Sequence, residues 1–282
     1  MMPFGRPYRM IVTDIDGTLV DMRQMISEQN KRMIGAFQRQ GGIFTLATGR
    51  IEDAVRHFVR ELDIRHPVIL YNGGKIVDFG SGECLFEAVL DAGVVRSAIR
   101  LFETVPMDAI FYSDRKPWVR RMTPVIEEYM KKDQVQCRVW EDPEFLIRSK
   151  VNKILVIREN RDFSAVTEAM RPIAGTECAL VQSEPTYLEI LPPGVSKGRA
   201  LKMLVHLLGV DLGDVIAIGD NLNDLEMIQA AGLGVAVENA HPELKVHARY
   251  IASSHLDHAV ADVIEKFCLA GESRTDARTG GE

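Results

Sequence analysis

The strongest constraint on this chain is a rhythm of short apolar runs and amphipathic stretches that is present at both ends and lost in the middle. Near the start, "RMIVTDIDGT" is a β-branched-rich run closed by the Asp16–Gly17 pair. A helix is expected from Ser27, a candidate N-cap, to Gln40, with Gly41 and Gly42 as its stop. The run "GIFTLATGR" leads into Thr48 and Gly49. After it, Ile51, Ala54, Val55, Phe58, Val59 and Leu62 fall at helical spacing and form one stripe. "HPVILYNGG" ends the block in a turn. Strand, helix, strand, helix, strand, with strands apolar almost throughout, implies a parallel sheet covered on both faces. The rhythm resumes after "LPPGVSKG". Ser196 is positioned to cap a helix over Lys197–Leu208, "DVIAIGD" and "LGVAV" read as buried strands, and a closing helix is expected over His255–Leu269.

Between the two blocks the pattern is different. "KIVDFGSGECLFEAV" predicts a hairpin around Gly80–Gly82. Helices are expected over Asp91–Thr104, Thr123–Lys132 and Asp162–Ile173, and strands at Asp108–Ser113, Trp118–Arg121, Lys153–Arg158, Ala179–Gln182 and Tyr187–Leu191. The economical account is an α/β protein with a doubly wound, mostly parallel sheet built from residues 1–88 and 192–270. An α+β domain, residues 89–191, is inserted into it, and a polar, Gly-rich tail over residues 271–282 is expected to be disordered.

Composition narrows the functional classes. A chain of 282 residues that is 46% hydrophobic can bury a sizeable core, and a net charge of −6 with a pI near 5.7 argues against a nucleic-acid partner. The four cysteines are far apart and form no CxxC pair, so they read as reduced thiols. The seven histidines show no metal-ligand spacing. No apolar stretch approaches the roughly 18 residues of a membrane span, and "MMPFGRPYRM" lacks the apolar core of a signal peptide. The expectation is a soluble, cytoplasmic protein without a membrane partner.

In a doubly wound sheet, ligands bind beyond the carboxyl ends of the strands. Four such ends carry polar residues: "DIDGT" at Asp14–Thr18, "TGR" at Thr48–Arg50, "GVSKG" around Lys197, and "GDNLND" at Gly219–Asp224. They supply four carboxylates, a hydroxyl, an ammonium and several glycines whose backbone N–H groups a ligand can approach. Crowding Asp14 and Asp16 against an apolar strand is costly unless a cation or a reaction uses them. The inventory suits Mg2+ and a phosphoryl group. Taken singly, each segment has an ordinary reading as a turn, a helix cap or a solvated lysine; the combination carries the signal.

The four segments, in this order, resemble the signature motifs of the haloacid dehalogenase-like (HAD) hydrolase superfamily. With "YNGG" at Tyr71–Gly74, "LEILPPGVSKGRAL" and "GDNLNDLEMIQAAGLGVAVENA", they resemble its Cof-type sugar-phosphatase branch, in which a large α/β cap is inserted into the core. The resemblance implies a Mg2+-dependent phosphatase acting on a small phosphorylated metabolite, with sugar phosphates foremost, through an aspartyl phosphate. In that scheme Asp14 is the nucleophile and Asp16 the acid/base. Asp14, the backbone carbonyl of Asp16 and Asp220 hold the metal, and Asp224 lies behind them. Thr48, Lys197 and the backbone of Ile15 and Gly49 grip the phosphoryl group. Tyr71 and Asn72 would touch substrate or cap, Gly73 and Asn223 would join the substrate-binding groups, and Asn223 would also share with Asp224 the holding of metal-bound waters or Lys197. Two alternatives are a phosphosugar mutase, which uses the same intermediate, and a non-enzymatic phospho-receiver module, which is about half this length. The basic cluster Lys116, Arg120 and Arg121 is expected to be a solvated face, with a substrate clamp as the alternative. The resemblance departs at "HAVADVI", where His258 stands in place of a glycine.

Overall fold

The computed structural model describes residues 8–269, so the expected tail lies outside the described residues. The first strand, β1 (Met10–Thr13), is fully buried and lies one strand in from the end of a five-stranded parallel sheet. It is followed by α1 (Glu28–Arg39), β2 (Ile43–Leu46), α2 (Glu52–Glu61) and β3 (Val68–Leu70). Ser27 caps α1 as expected, its hydroxyl accepting from Asn30 N. β3 extends the sheet beyond β2 through a parallel bridge between Ala47 and Ile69, then folds back with β4 (Lys75–Val77) and β5 (Cys84–Glu87) as an antiparallel hairpin.

Next comes the insertion: α3 (Ala92–Thr104), β6 (Asp108–Ser113), β7 (Lys116–Val119), α4 (Pro124–Asp133), β8 (Arg138–Val139), α5 (Glu144–Arg148), β9 (Val151–Ile157), α6 (Ser164–Met170), β10 (Ala179–Glu184) and β11 (Tyr187–Leu191). Its six strands form a separate sheet in the order β10-β11-β9-β6-β7-β8, antiparallel except for β7 with β8. The strand expected at Trp118–Arg121 lies two residues earlier. Pro117 donates no ladder hydrogen bond and sits just before the two residues, Trp118 and Val119, that pair with β8.

The chain then returns to the first sheet with α7 (Lys197–Leu208), β12 (Val215–Gly219), α8 (Leu225–Ala230), β13 (Leu233–Val237), α9 (Pro242–His247), β14 (Tyr250–Ala252) and α10 (Ala259–Phe267). The sheet order is β14-β13-β12-β1-β2, with every pair parallel. After β1 the chain first moves towards β2 and later resumes at β12, on the other side of β1. The strand order therefore reverses between β1 and β12, and a crevice opens there at their carboxyl ends. The register pairs Thr13 with Ile218, and Asp14 N donates to Ile218 O at 2.9 Å, which places Asp14 beside Gly219 and Asp220. The expected closing helix begins later than its sequence pattern, because His258, with φ +63°, breaks it from the short turn at His255–Asp257.

Two apolar clusters hold the molecule together. The larger fills the parallel sheet and reaches into the insertion, where Tyr71 meets Tyr112 edge-on at 6.2 Å. The smaller lies between α3 and the strands β6 and β9, and includes Val94, Ala98, Phe111, Ile154 and Val156. Among the described residues, no helix is long and apolar enough to cross a membrane.

Candidate active site

The reversal between β1 and β12 gathers the acidic residues. Asp14 follows the last residue of β1 and Asp220 the last residue of β12, while Asp224 lies one turn further on. Carboxylate oxygens of these three lie within 4.8 Å of one another. Lys197, the first residue of α7, enters from the side with no exposed side-chain surface. Its Nζ lies 2.8 Å from Asp14 Oδ1 and 2.6 Å from Asp224 Oδ1. Asp224 Oδ2 accepts from Asp220 N at 3.0 Å, and Thr18 Oγ1 donates to Asp220 Oδ1 at 3.1 Å. Gly17, at φ +71°, passes so close that a Cβ there would stand 2.5 Å from Asp220 Oδ2, so the position requires glycine for both conformation and space.

Three carboxylates and one ammonium in a largely buried site leave uncompensated negative charge, and burial together with that charge shifts the pKa values of Asp14, Asp220 and Lys197. Burial pushes the Asp14 carboxyl up to about 7, against the pull of Lys197, and the charges of Asp224 and Asp16 push it the same way. Asp220 is raised well above the usual carboxylate range by burial first and then by Asp14 and Asp224. Burial disfavours the charge of Lys197, but Asp14 and Asp224 more than offset this and raise its pKa. Hard oxygen donors with an unbalanced charge fit a divalent cation such as Mg2+.

Asp16 points into the cleft with its side chain about a third exposed. The guanidinium of Arg50 holds it from two directions, and the side chain of Gln24 hydrogen-bonds to both Asp16 and Arg50. Burial works against the Asp16 charge, yet the hydrogen bonds and charge of Arg50 hold its carboxyl below the ordinary range. Thr48, beyond β2, lines the same cleft, and its hydroxyl accepts from Arg50 N at 3.1 Å. Ile15 buries its side chain, while its carbonyl accepts from the N–H groups of Thr18, Leu19 and Val20 and so closes the turn.

Of the remaining residues expected at the site, Asn223 lines the cleft, and Gly49 offers its carbonyl to Lys153 Nζ at 2.7 Å. Asn72 and Gly73 sit at the seam with the insertion. Asn72 Nδ2 donates to Glu189 Oε2 at 2.8 Å, its Oδ1 accepts from Asn223 Nδ2 at 3.0 Å, and Gly73, at φ +97°, packs against the Ser196 carbonyl. Asn72 thus touches the cap. Lys116, Arg120 and Arg121 form a solvated face: all three are exposed, Arg120 Nη1 donates to Phe102 O, and Arg120 and Arg121 border a different cavity beside Trp140.

The cleft has a volume of about 690 Å³. The insertion closes it with Tyr129, Lys132, Asp133, Glu184 and Tyr187, none of which the motifs indicated. Arg50 was visible in "TGR" but reads there as an ordinary loop residue, and nothing in the sequence marks Gln24. A buried carboxylate beside a buried lysine, a second carboxylate two residues on, and a hydroxyl at the next strand end are groups that can together hold and transfer a phosphoryl group.

Comparison with known proteins shows the family. The model of a family described as haloacid dehalogenase-like hydrolase matches residues 11–264. Over 271 residues the chain is 29% identical to the Bacillus subtilis (strain 168) protein named "Putative phosphatase YxeH", covering 93% of this chain and 99% of that protein. It is 28% identical over 264 residues to the 5-amino-6-(5-phospho-D-ribitylamino)uracil phosphatase YcsE of the same organism, covering 93% and 96%. The crystal structure of a haloacid dehalogenase-like hydrolase from Bacteroides thetaiotaomicron superposes with a TM-score of 0.83 at 30% identity, covering 92% of this chain and 99% of that one.

Proposed function

The chain belongs to the haloacid dehalogenase-like hydrolases, and on that footing we propose that it is a Mg2+-dependent phosphomonoesterase acting on a small phosphorylated metabolite, with sugar and polyol phosphates foremost. In this reading residues 1–88 and 192–270 are the catalytic core and residues 89–191 the cap. One observation carries the proposal: Asp14, Asp220 and Asp224 converge at the crevice between β1 and β12, with Lys197 paired to Asp14 and Asp224 and with Asp16 two residues beyond Asp14. The relative named for a phosphorylated ribityl compound supports the substrate class.

Asp14, Asp220 and the backbone carbonyl of Asp16 would hold the cation. Bound there, Mg2+ would offset the repulsion between a carboxylate and a phosphate dianion. Asp14 attacks phosphorus, the bond from phosphorus to the ester oxygen breaks, and that oxygen leaves with a proton from Asp16. Water then attacks the aspartyl phosphate and gives its proton to Asp16. The bond from phosphorus to Asp14 breaks, releasing inorganic phosphate and restoring the carboxylate. Lys197 and Thr48 hold the phosphoryl oxygens, and Asp224 fixes Lys197. The seam made by Asn72, Gly49, Lys153 and Glu189 keeps the cap over the cleft and excludes water during the first step.

The test is hydrolysis of para-nitrophenyl phosphate with and without Mg2+. Activity that a chelator removes, and that Asp14→Asn abolishes, is expected. Activity that survives both treatments would overturn the reading. Release of inorganic phosphate, rather than an isomerised sugar phosphate, separates it from a mutase.

A further inference from the structure

On its cap side the cleft is walled by the end of α4 and the turn between β10 and β11, which present Lys131, Lys132, Asp133 and Glu184. Lys132 Nζ donates to both carboxylate oxygens of Glu184, at 2.7 Å each, and lies 4.6 Å from the centroid of the Tyr187 ring. Lys153 lies 3.1 Å from Glu189, and on the core side Arg50 is bound to Asp16. Among the described residues, the other cations lining the cleft are Arg23 and Lys131, both exposed to solvent. Lys153 and Glu189 are buried in the seam, whereas Lys132 and Glu184 each keep about a third of their side chains exposed. The pair within reach of a bound molecule is therefore Lys132 with Glu184.

An ammonium and a carboxylate side by side offer donors and acceptors at one place. Neighbouring hydroxyl groups are their complement, because each hydroxyl both donates and accepts. A second anionic group in the same position would face the Glu184 carboxylate and would have to displace it from Lys132. We infer that Lys132 and Glu184 determine specificity, selecting a neutral, polyhydroxylated leaving group and rejecting one that carries a second negative charge. The inference rests on the reading of the site as a phosphomonoesterase and names what that site admits.

Two probes with the same six-carbon chain test it: sorbitol 6-phosphate, which is neutral at its far end, and 6-phosphogluconate, which carries a carboxylate there. The readout is the ratio of their kcat/KM values, so any change that damages both equally cancels. The wild type is expected to favour sorbitol 6-phosphate by at least about tenfold. Glu184→Gln keeps the shape and frees Lys132, so the ratio should move towards 6-phosphogluconate by at least about tenfold. Lys132→Gln leaves Glu184 without its cation and should move the ratio the other way. Opposite movements in two near-isosteric variants cannot come from a weakened fold. A ratio unchanged across the three enzymes, or a wild type without the preference, would overturn the inference while para-nitrophenyl phosphate is still hydrolysed. Loss of that hydrolysis in the wild type with Mg2+ present would overturn the phosphatase reading, and this inference with it.

Discussion

Arg50 grips Asp16 with two N–H groups, Nε donating to Oδ2 at 2.8 Å and Nη2 to Oδ1 at 2.6 Å. The pair joins the turn after β1 to the loop after β2 and fixes the charge state of the proposed acid/base. An ionised Asp16 is ready to take a proton from water, whereas giving one to a leaving oxygen requires Arg50 to loosen. Arg50 holds the Asp16 carboxyl low even though burial opposes its charge, so removing the guanidinium should raise it. Below the raised value the base is lost. The acidic limb of the kcat profile should therefore move to higher pH in Arg50→Gln, and the activity loss should be larger at pH 5 than at pH 8. A limb that stays in place would separate Asp16 from the base step.

Metal binding should release protons. In the metal-free site Asp14 titrates near 7 because burial and neighbouring carboxylates favour its neutral form, and Asp220 is raised for the same reasons. A cation binds the ionised forms, so it must displace the protons that remain at pH 7. The apparent Kd for Mg2+ is expected to fall as pH rises from 6 to 8. Calorimetry in two buffers of different ionisation enthalpy should show a net proton release near neutrality, and equal heats in both would contradict the acidic cluster as the metal site.

Lys197 balances two buried carboxylates, so Lys197→Met should be costly in the absence of metal. Removing one partner of a buried charged network typically costs about 3–5 kcal/mol. Urea denaturation in EDTA should reveal a loss of that order, and added Mg2+ should recover part of it by lowering the remaining repulsion. A variant as stable as the wild type in EDTA would show that the Lys197 charge does not stabilise this cluster.

Gly17→Ala isolates the metal cradle from the chemistry. The new methyl would point at Asp220 Oδ2, and the left-handed φ of +71° adds strain of about 1 kcal/mol. Displacement of Asp220 should raise the Mg2+ concentration needed for half-maximal activity, by an expected tenfold or so. An unchanged Mg2+ requirement would remove Asp220 from the ligand set.

The parts of this site that were legible in the sequence are those fixed by the sheet. A buried parallel strand must be an apolar run, and whatever polar residue ends it must face the crevice, so Asp14, Thr48 and Asp220 can be located from pattern alone. Lys197 could be placed because Ser196 caps the helix it begins. The cap side was not legible. Lys116, Arg120 and Arg121 make a conspicuous basic cluster, but they lie away from the cleft, while Lys132, at the end of α4, lines it. Which face of an inserted sheet meets the core depends on docking, and local periodicity does not encode docking. The short elements α8, α9 and β14 escaped because each spans only three to six residues, too few to show a period. At His258, φ is +63°, so the residue standing in place of a glycine holds the conformation that glycine adopts without strain.

The sharpest prediction concerns Asp16→Asn. The amide keeps the backbone carbonyl proposed to face the metal and nearly keeps the side-chain shape, so substrate binding should survive. The amide cannot exchange a proton as a carboxyl group does, so both proton transfers fail. An alkyl phosphate needs its leaving oxygen protonated, and its hydrolysis should fall by about a hundred to ten thousandfold. Para-nitrophenyl phosphate has a good leaving group and should still phosphorylate Asp14, which lies buried beside Lys197. The next step, attack of water on the aspartyl phosphate, then lacks its base and becomes limiting. Rapid mixing should therefore show a burst of nitrophenolate approaching one equivalent per site, followed by slow turnover, with a phosphorylated chain visible by intact mass. Equal losses on both substrates with no burst would show that Asp16 serves the site as the partner of Arg50 and not as its acid and base.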